Sequence, residues 1–201
     1  MQADPTGFYQ DIRCLPNPEI APNAVMEVLF GAVHKALAQE AAPEVGLSFP
    51  EHNSVRATLG VCLRVHGPRA ALERLAASGW LTRVQDYVQC GPIGPVPQGC
   101  QHRVVKRVQA KSSPARLRRR AMRRHGLDTQ AALATIPDTA AERLRLPFVI
   151  ISSASTGQHR FPLFIRHEPV QPTPQPGPFS AYGLSLGGSV PWFWPLFWEG
   201  K

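Results

Sequence analysis

Ten Lys or Arg residues fall between Gln101 and His125, and that window holds no Asp or Glu. They are Arg103, Lys106, Arg107, Lys111, Arg116, Arg118, Arg119, Arg120, Arg123 and Arg124. The chain has 22 basic and 14 acidic side chains, so 12 basic residues face 14 acidic ones elsewhere. The net charge of +8 therefore sits in one short stretch, as a polyanion site requires and general solubility does not. Ser113 is placed to cap a helix whose first residue is Pro114. On that helix Arg116, Arg119, Arg120, Arg123 and Arg124 follow i, i+3, i+4, i+7, i+8 spacing and share a face of about 140°. Leu117, Ala121 and Met122 lie off that face and can pack inward. Five guanidinium groups on one face repel each other, and phosphates satisfy them bidentately. The alternative is a solvated charged face, though such faces normally mix signs. The helix alone does not separate DNA from RNA. It fits a DNA major groove, while the narrow A-form groove opens only near helix ends, loops and distortions.

Other reactive types are sparse. His34 lies one turn after Phe30, on the edge of an apolar helical stripe. Histidine titrates near neutrality and suits proton transfer, but a core or helix-surface histidine fits the same position. Arg107 and Gln109 stand at i, i+2, so both point to one side of an extended segment and can reach base edges. A salt bridge or an unspecific phosphate contact is the alternative. Cys14, Cys62, Cys90 and Cys100 form no CxxC pair, and no Cys/His cluster has zinc spacing. Free thiols and no metal site are expected, and no cofactor is implied. His52, His66, His102 and His167 read as surface or structural residues.

These residues need elements to hold them. At 43% hydrophobic, the 201-residue chain can bury a core of one large or two small domains. No apolar run approaches the roughly 20 residues of a membrane helix, and the N-terminus lacks a signal-peptide core. A cytoplasmic protein without a membrane partner is expected. The pattern predicts an α+β protein. Strands are expected over 9–15, 45–49, 61–66 and 81–89, with helices over 24–41 and 68–78. That order is the βαββαβ pattern of ferredoxin-like domains, whose sheet face many RNA-binding proteins use. The Gly/Pro-dense segment 91–99 predicts a boundary, giving domains 1–91 and 92–201. The second is expected to hold the basic helix, a helix over 129–144, strands over 147–151 and 161–167, a surface loop over 171–178, and an aromatic tail over 191–198.

The segment RVQAKSSPARLRRRAMRRH (107–125) resembles the arginine-rich helix region of the type I-F CRISPR repeat endoribonucleases. So do IPDT (136–139), LPFV (146–149), STGQH (155–159), LFIRH (163–167), YGLS (182–185) and VPWF (190–193). At the N-terminus DIR (11–13), MEVLFGAVHKAL (26–37) and VGLSFP (45–50) are similar too. Each motif is weak alone, but the ordered set over residues 9–193 is specific. The resemblance implies a ferredoxin-like N-terminal domain and a second α+β domain with the arginine-rich helix. It implies cleavage of precursor CRISPR RNA at the base of the repeat hairpin. It also implies retention of the product, with the enzyme becoming a subunit of the interference complex beside its other subunits.

By position, the resemblance makes His34 the catalytic histidine, Ser153 the serine beside the attacking sugar, and Tyr182 a tyrosine that orders the site. Arg107 and Gln109 match the pair reading bases at the hairpin foot. Lys111, Arg116, Arg119, Arg120, Arg123, Arg124 and His125 fall in the RNA-binding segment. The sequence departs from the pattern after GQH, where the run is Arg160-Phe161-Pro162, one residue longer. Phe161 or the guanidinium plane of Arg160 would then stack on the closing base pair. A lysine of the YGLS loop is replaced by Leu186. The implied reaction uses the 2′-OH of RNA as nucleophile, needs no metal, and leaves a 2′,3′-cyclic phosphate and a 5′-OH. Two other readings stand beside it: an RNA-binding assembly subunit with little activity, and a DNA-binding regulator that uses the arginine helix.

Overall fold

The computed structural model describes residues 7–109, 114–137, 144–151 and 160–194. The chain forms two compact units, one of residues 1–107 with 146–201 and one of residues 108–145. The larger unit begins with strand β1 (Phe8–Cys14), helix α1 (Pro22–Glu40), β2 (Gly46–Ser48), β3 (Cys62–Gly67), helix α2 (Arg69–Ala77) and β4 (Val88–Cys90). The short strands β5 (Gly94–Pro95), β6 (Gln101–Arg103) and β7 (Val105–Val108) follow. The smaller unit carries helices α3 (Pro114–His125) and α4 (Thr129–Thr135). The chain then returns through β8 (Phe148–Ile151), β9 (Phe161–His167) and β10 (Val190–Trp192). It is a mixed α+β protein with several antiparallel sheets.

The first sheet runs β2-β3-β1-β4, with β5 beside the start of β1. Ile12 pairs with Leu63 and with Cys90, and Leu47 pairs with Val65. A second sheet joins β10 to β6, and a third runs β7-β9-β8. Helix α1 supplies Met26, Leu29, Phe30, Val33 and Leu37 to the core, at the spacing that lines one helical face. They pack in one cluster with Ile12, Leu47 and Leu63 from the first sheet and with Val105, Val149, Leu163 and Ile165 from the third. Residues on both sides of the expected break at 91–99 thus share a core, and the compact units divide the chain at different places. That shared core holds α1 against the β7-β9-β8 sheet.

Across the first sheet, Arg64 and Asp11 are fully buried and paired through two hydrogen bonds of 2.6 and 2.8 Å. Arg64 also donates to the Phe193 carbonyl at 2.8 Å and lies 3.8 Å from that ring's centroid, with Tyr9 beside it. The guanidinium thereby fastens the segment after β10 to β1 and β3. Removing one partner would strand a buried charge, at a cost of about 3–5 kcal/mol.

Two expected elements are shorter than anticipated. The strand expected over 81–89 survives only as β4. Thr82 and Val84 donate backbone bonds to Gly79 and Leu81, the Thr82 hydroxyl also bonds Gly79, and a 3-10 turn covers Gln85–Tyr87. These local bonds replace a strand ladder. Of the helix expected over 129–144, α4 ends at Thr135, because Pro137 disfavours helical geometry at Ile136, and residues 138–143 lie outside the described residues. Asp128 caps its start by accepting from the Ala131 N–H at 2.7 Å.

Candidate active site

Helix α1 presents His34 at the edge of its buried stripe, half-buried, while Leu37 in the next turn is fully inside. The turn after Phe179 meets it. The Gly183 N–H bonds the Ser180 carbonyl at 2.7 Å, the Ser180 N–H bonds the Leu184 carbonyl at 2.8 Å, and the Leu47 N–H bonds the Gly183 carbonyl at 2.8 Å. Gly183 has φ 65°, and a Cβ there would come 2.3 Å from Leu47 Cγ, so only glycine closes this turn. The turn aims the Ala181 carbonyl at His34 Nδ1, 2.7 Å away. It also lays the Tyr182 ring on the imidazole, with centroids 4.0 Å apart and planes 18° from parallel. A carbonyl only accepts, so Nδ1 carries a proton and, in the neutral ring, Nε2 holds the free lone pair.

The same turn is tied to β7 by the Ser185 N–H, which bonds the Val105 carbonyl at 2.8 Å. Two residues along β7, the Arg107 guanidinium lies 5.5 Å from the Tyr182 centroid and 5.8 Å from that of Phe161 at the start of β9. Phe161, Arg107, Tyr182 and His34 therefore form one stacked series. Arg160 does not join it. Its backbone is left-handed at φ 57°, its side chain is largely exposed, and its guanidinium lies 4.0 Å from Glu27 on α1. Arg160 thus turns toward α1, while Phe161 lies beside Arg107.

In the smaller unit, α3 exposes Arg116, Arg119, Arg120, Arg123, Arg124 and His125, while Leu117, Arg118, Ala121 and Met122 are partly covered. Arg118 donates to the Ile136 carbonyl at 2.8 Å and fastens α3 to the end of α4. The five arginines of the exposed face have no carboxylate partner among the described residues. Gly126 closes the helix at φ 63°, its N–H bonded to the Met122 carbonyl. Gln109 is exposed just past β7. Ser153 and Lys111 lie outside the described residues.

Sequence reasoning did not find the Ala181 carbonyl or the Glu27 partner of Arg160. A backbone acceptor leaves no trace in residue type, and Glu27 is 133 positions from its partner. It also left the histidines of the larger unit between surface and structure. His66 is fully buried and bonded through Nε2 to the Ser48 hydroxyl at 2.9 Å. His52 and His167 stack at 3.6 Å beneath Trp192. Burial, then the charges of His52 and Arg103, pushes His167 down to about 2. Burial and Arg103 likewise lower His52. Burial pushes the Cys14 thiol up to about 11 and raises Cys62 as well, so neither is a reactive thiolate. Cys14, Cys62 and Cys90 carry free thiols. Among the described residues no group of His, Cys, Asp and Glu is placed to hold a metal ion. No helix there is long and apolar enough to cross a membrane.

The sequence model of the CRISPR-associated protein family Cas_Csy4 matches residues 9–193. The chain belongs to that family. It is 50% identical over 185 residues to the CRISPR-associated endonuclease Cas6/Csy4 of Pseudomonas aeruginosa (strain UCBPP-PA14), covering 92% of this chain and 98% of the relative. It is 41% identical over 185 residues to the protein of the same name from Escherichia coli (strain UTI89 / UPEC), with the same coverage of both. The match takes in α1 with His34, β7, α3 and the Tyr182 turn, and stops one residue short of Trp194.

Proposed function

We propose that this protein is an endoribonuclease that cleaves precursor CRISPR RNA at the base of the repeat hairpin without a metal ion. The observation that carries the reading is His34, with Nδ1 tied to the Ala181 carbonyl and one face covered by Tyr182. Membership of a family whose relatives are named CRISPR-associated endonucleases supports the same conclusion. RNA brings its own nucleophile. Nε2 of His34 removes the proton of the 2′-OH, the 2′-oxygen attacks the adjacent phosphorus, and the 5′-oxygen departs. The products are a 2′,3′-cyclic phosphate and a 5′-OH. Ser153 holds the 2′-OH in line, and Tyr182 keeps the imidazole from turning. A positioned base contributes roughly 10²–10⁴-fold, and alignment supplies much of the rest.

The binding surfaces divide as follows. Residues 1–91 form a ferredoxin-like domain, read from the order β1-α1-β2-β3-α2-β4 and the strand sequence β2-β3-β1-β4. Residues 92–201 grip the hairpin. Arg116, Arg119, Arg120, Arg123, Arg124 and His125 of α3, with Lys111 before it, face the phosphates. Arg107 and Gln109 read base edges at the foot, and Phe161 stacks on the closing pair. Arg160, turned toward Glu27, reaches a phosphate rather than a base plane. The enzyme then stays on its cytoplasmic product as a subunit of a type I-F interference complex.

The test is cleavage of the host repeat hairpin in EDTA by wild type and His34→Ala, and of a substrate with one 2′-deoxy at the cut site. One cut at the hairpin foot by wild type is expected, with the variant and the deoxy substrate binding but staying intact. Tight binding by wild type without any cut would leave only an assembly subunit. Preference for duplex DNA would instead make the protein a DNA-binding regulator.

A further inference from the structure

Helix α1 holds one glycine, Gly31, nine residues inside each nearer end of a 19-residue helix. Glycine is among the least favourable residues in a helix interior. Here nothing among the described residues asks for it. Its φ is not positive, and among the described residues a Cβ built at Gly31 meets no atom within 4 Å beyond its own helix turn. This sets it apart from Gly183 and from Gly46, whose Cβ would strike Phe179 and Val190 at 2.7 Å. The described residues leave room for a Cβ at Gly31.

Its position gives the space a purpose. At about 100° per residue, Glu27, Gly31 and His34 fall within about 60° of one another on α1. That face borders the buried stripe of Leu29, Phe30 and Val33 on one side and opens outward on the other. Gly31 lies on the outward side of His34. Tyr182 covers one face of the imidazole, and the Ala181 carbonyl holds Nδ1. Helical side chains lean toward the N-terminal turn, so His34 projects over the level of Gly31. Glu27, the next side chain back along this face, is drawn aside to Arg160. Between Glu27 and His34, about 10 Å along the helix, Gly31 is the one position on this face and it carries no side chain, while the exposed Val28 lies further round the helix.

We propose that Gly31 is the clearance through which the sugar-phosphate of the attacking nucleotide reaches His34 Nε2, making it a positioning residue for the cleavage reaction. The inference rests on the endoribonuclease reading above. A side chain here would stand where the ribose must lie for its 2′-OH to approach the ring. The room that the described residues leave at Gly31 is then a requirement of the substrate.

The test uses the full chain with Gly31→Ala and Gly31→Leu. Three quantities are read: the thermal midpoint, the affinity for a repeat hairpin with 2′-deoxy at the cut site, and the single-turnover cleavage rate with protein in excess. The alanine is expected to raise Tm by about 2–4 °C, because it restores helix propensity into empty space. Both variants are expected to bind the uncleavable hairpin within about threefold of wild type. The leucine is expected to slow cleavage roughly 10²-fold, as misplacement of about 1 Å does, with alanine between it and wild type. A purely structural glycine would not couple higher stability to slower chemistry. Leucine cutting at the wild-type rate would overturn the proposal. So would a fall in Tm for alanine, which would mean the space is needed by the fold, or a loss of hairpin affinity as large as the loss of rate. If wild type itself binds and never cuts, the endoribonuclease reading fails and this inference falls with it. If wild type cuts and leucine cuts equally well, only this inference fails.

Discussion

A neutral imidazole has one protonated nitrogen, and which one decides what the ring can do. In His34 the choice is made by the Ala181 carbonyl, which leaves Nε2 with the lone pair. Tyr182 adds a flat surface that restricts rotation about the bond to the ring. If stacking is the contribution, the phenol oxygen is dispensable and the ring is not. Tyr182→Phe is expected to cut at close to the wild-type rate, whereas Tyr182→Ala lowers the rate by roughly tenfold or more with hairpin affinity retained. Single-turnover rates on saturating RNA separate the two. Equal losses in both variants would assign the role to the hydroxyl. His34 itself was visible in the sequence as a residue type at a stripe edge, and its partner was not. Main-chain carbonyls carry no letter, and the Gly183 turn that aims this one depends on a close approach to Leu47 that no spacing rule reveals.

At the scale of elements, the legible features were those with strong local causes. Helix α3 begins at the expected Pro114 and ends before a left-handed Gly126, and Arg116, Arg119, Arg120, Arg123 and Arg124 occupy the exposed face that their spacing implied. Strand β9 runs Phe161–His167 as its apolar run implied. The misses have equally local causes. Pro137 truncates α4, and turn bonds after Gly79 consume the backbone groups that a long β4 would have needed. Short strands such as β6 and β10 exist only because each finds the other across 87 positions, with Val190 opposite Arg103, which periodicity cannot detect. If α3 binds phosphate, each of its free arginines adds a released counterion. Arg120→Ala is expected to reduce the slope of log affinity against log salt by about 0.7–0.9 and to leave the cut position unchanged. Affinity measured across a salt series gives that slope. An unchanged slope would make the face a solvated one.

The larger unit holds histidines whose burial favours the neutral ring. His66 has no exposed surface, and burial, with the charges of Arg64 and His102, holds its pKa well below the ordinary 6.5. His167 is driven down to about 2 by burial and by the charges of His52 and Arg103. Neither ring nitrogen of His167 has a hydrogen-bond partner among the described residues, and Trp192 and Phe49 close around the His52 stack. The sign follows directly. In the unfolded chain these rings take up protons below about pH 6.5, while in the fold they do not. The unfolded state therefore binds more protons, and folding stability falls as pH drops. Each ring that remains neutral costs about 1.4 kcal/mol per pH unit over that range, and His66 and His167 act together. The protein should hold its full stability above pH 7 and lose several kcal/mol by pH 5. His167→Phe keeps an aromatic ring on His52 while removing two unpartnered nitrogens, so it should flatten the acid slope by about one proton. Urea midpoints for both proteins at pH 7.5 and 5.0 give the comparison. Parallel losses in the two would mean that His167 accepts a proton in the folded state, and that water reaches the stack beneath Trp192.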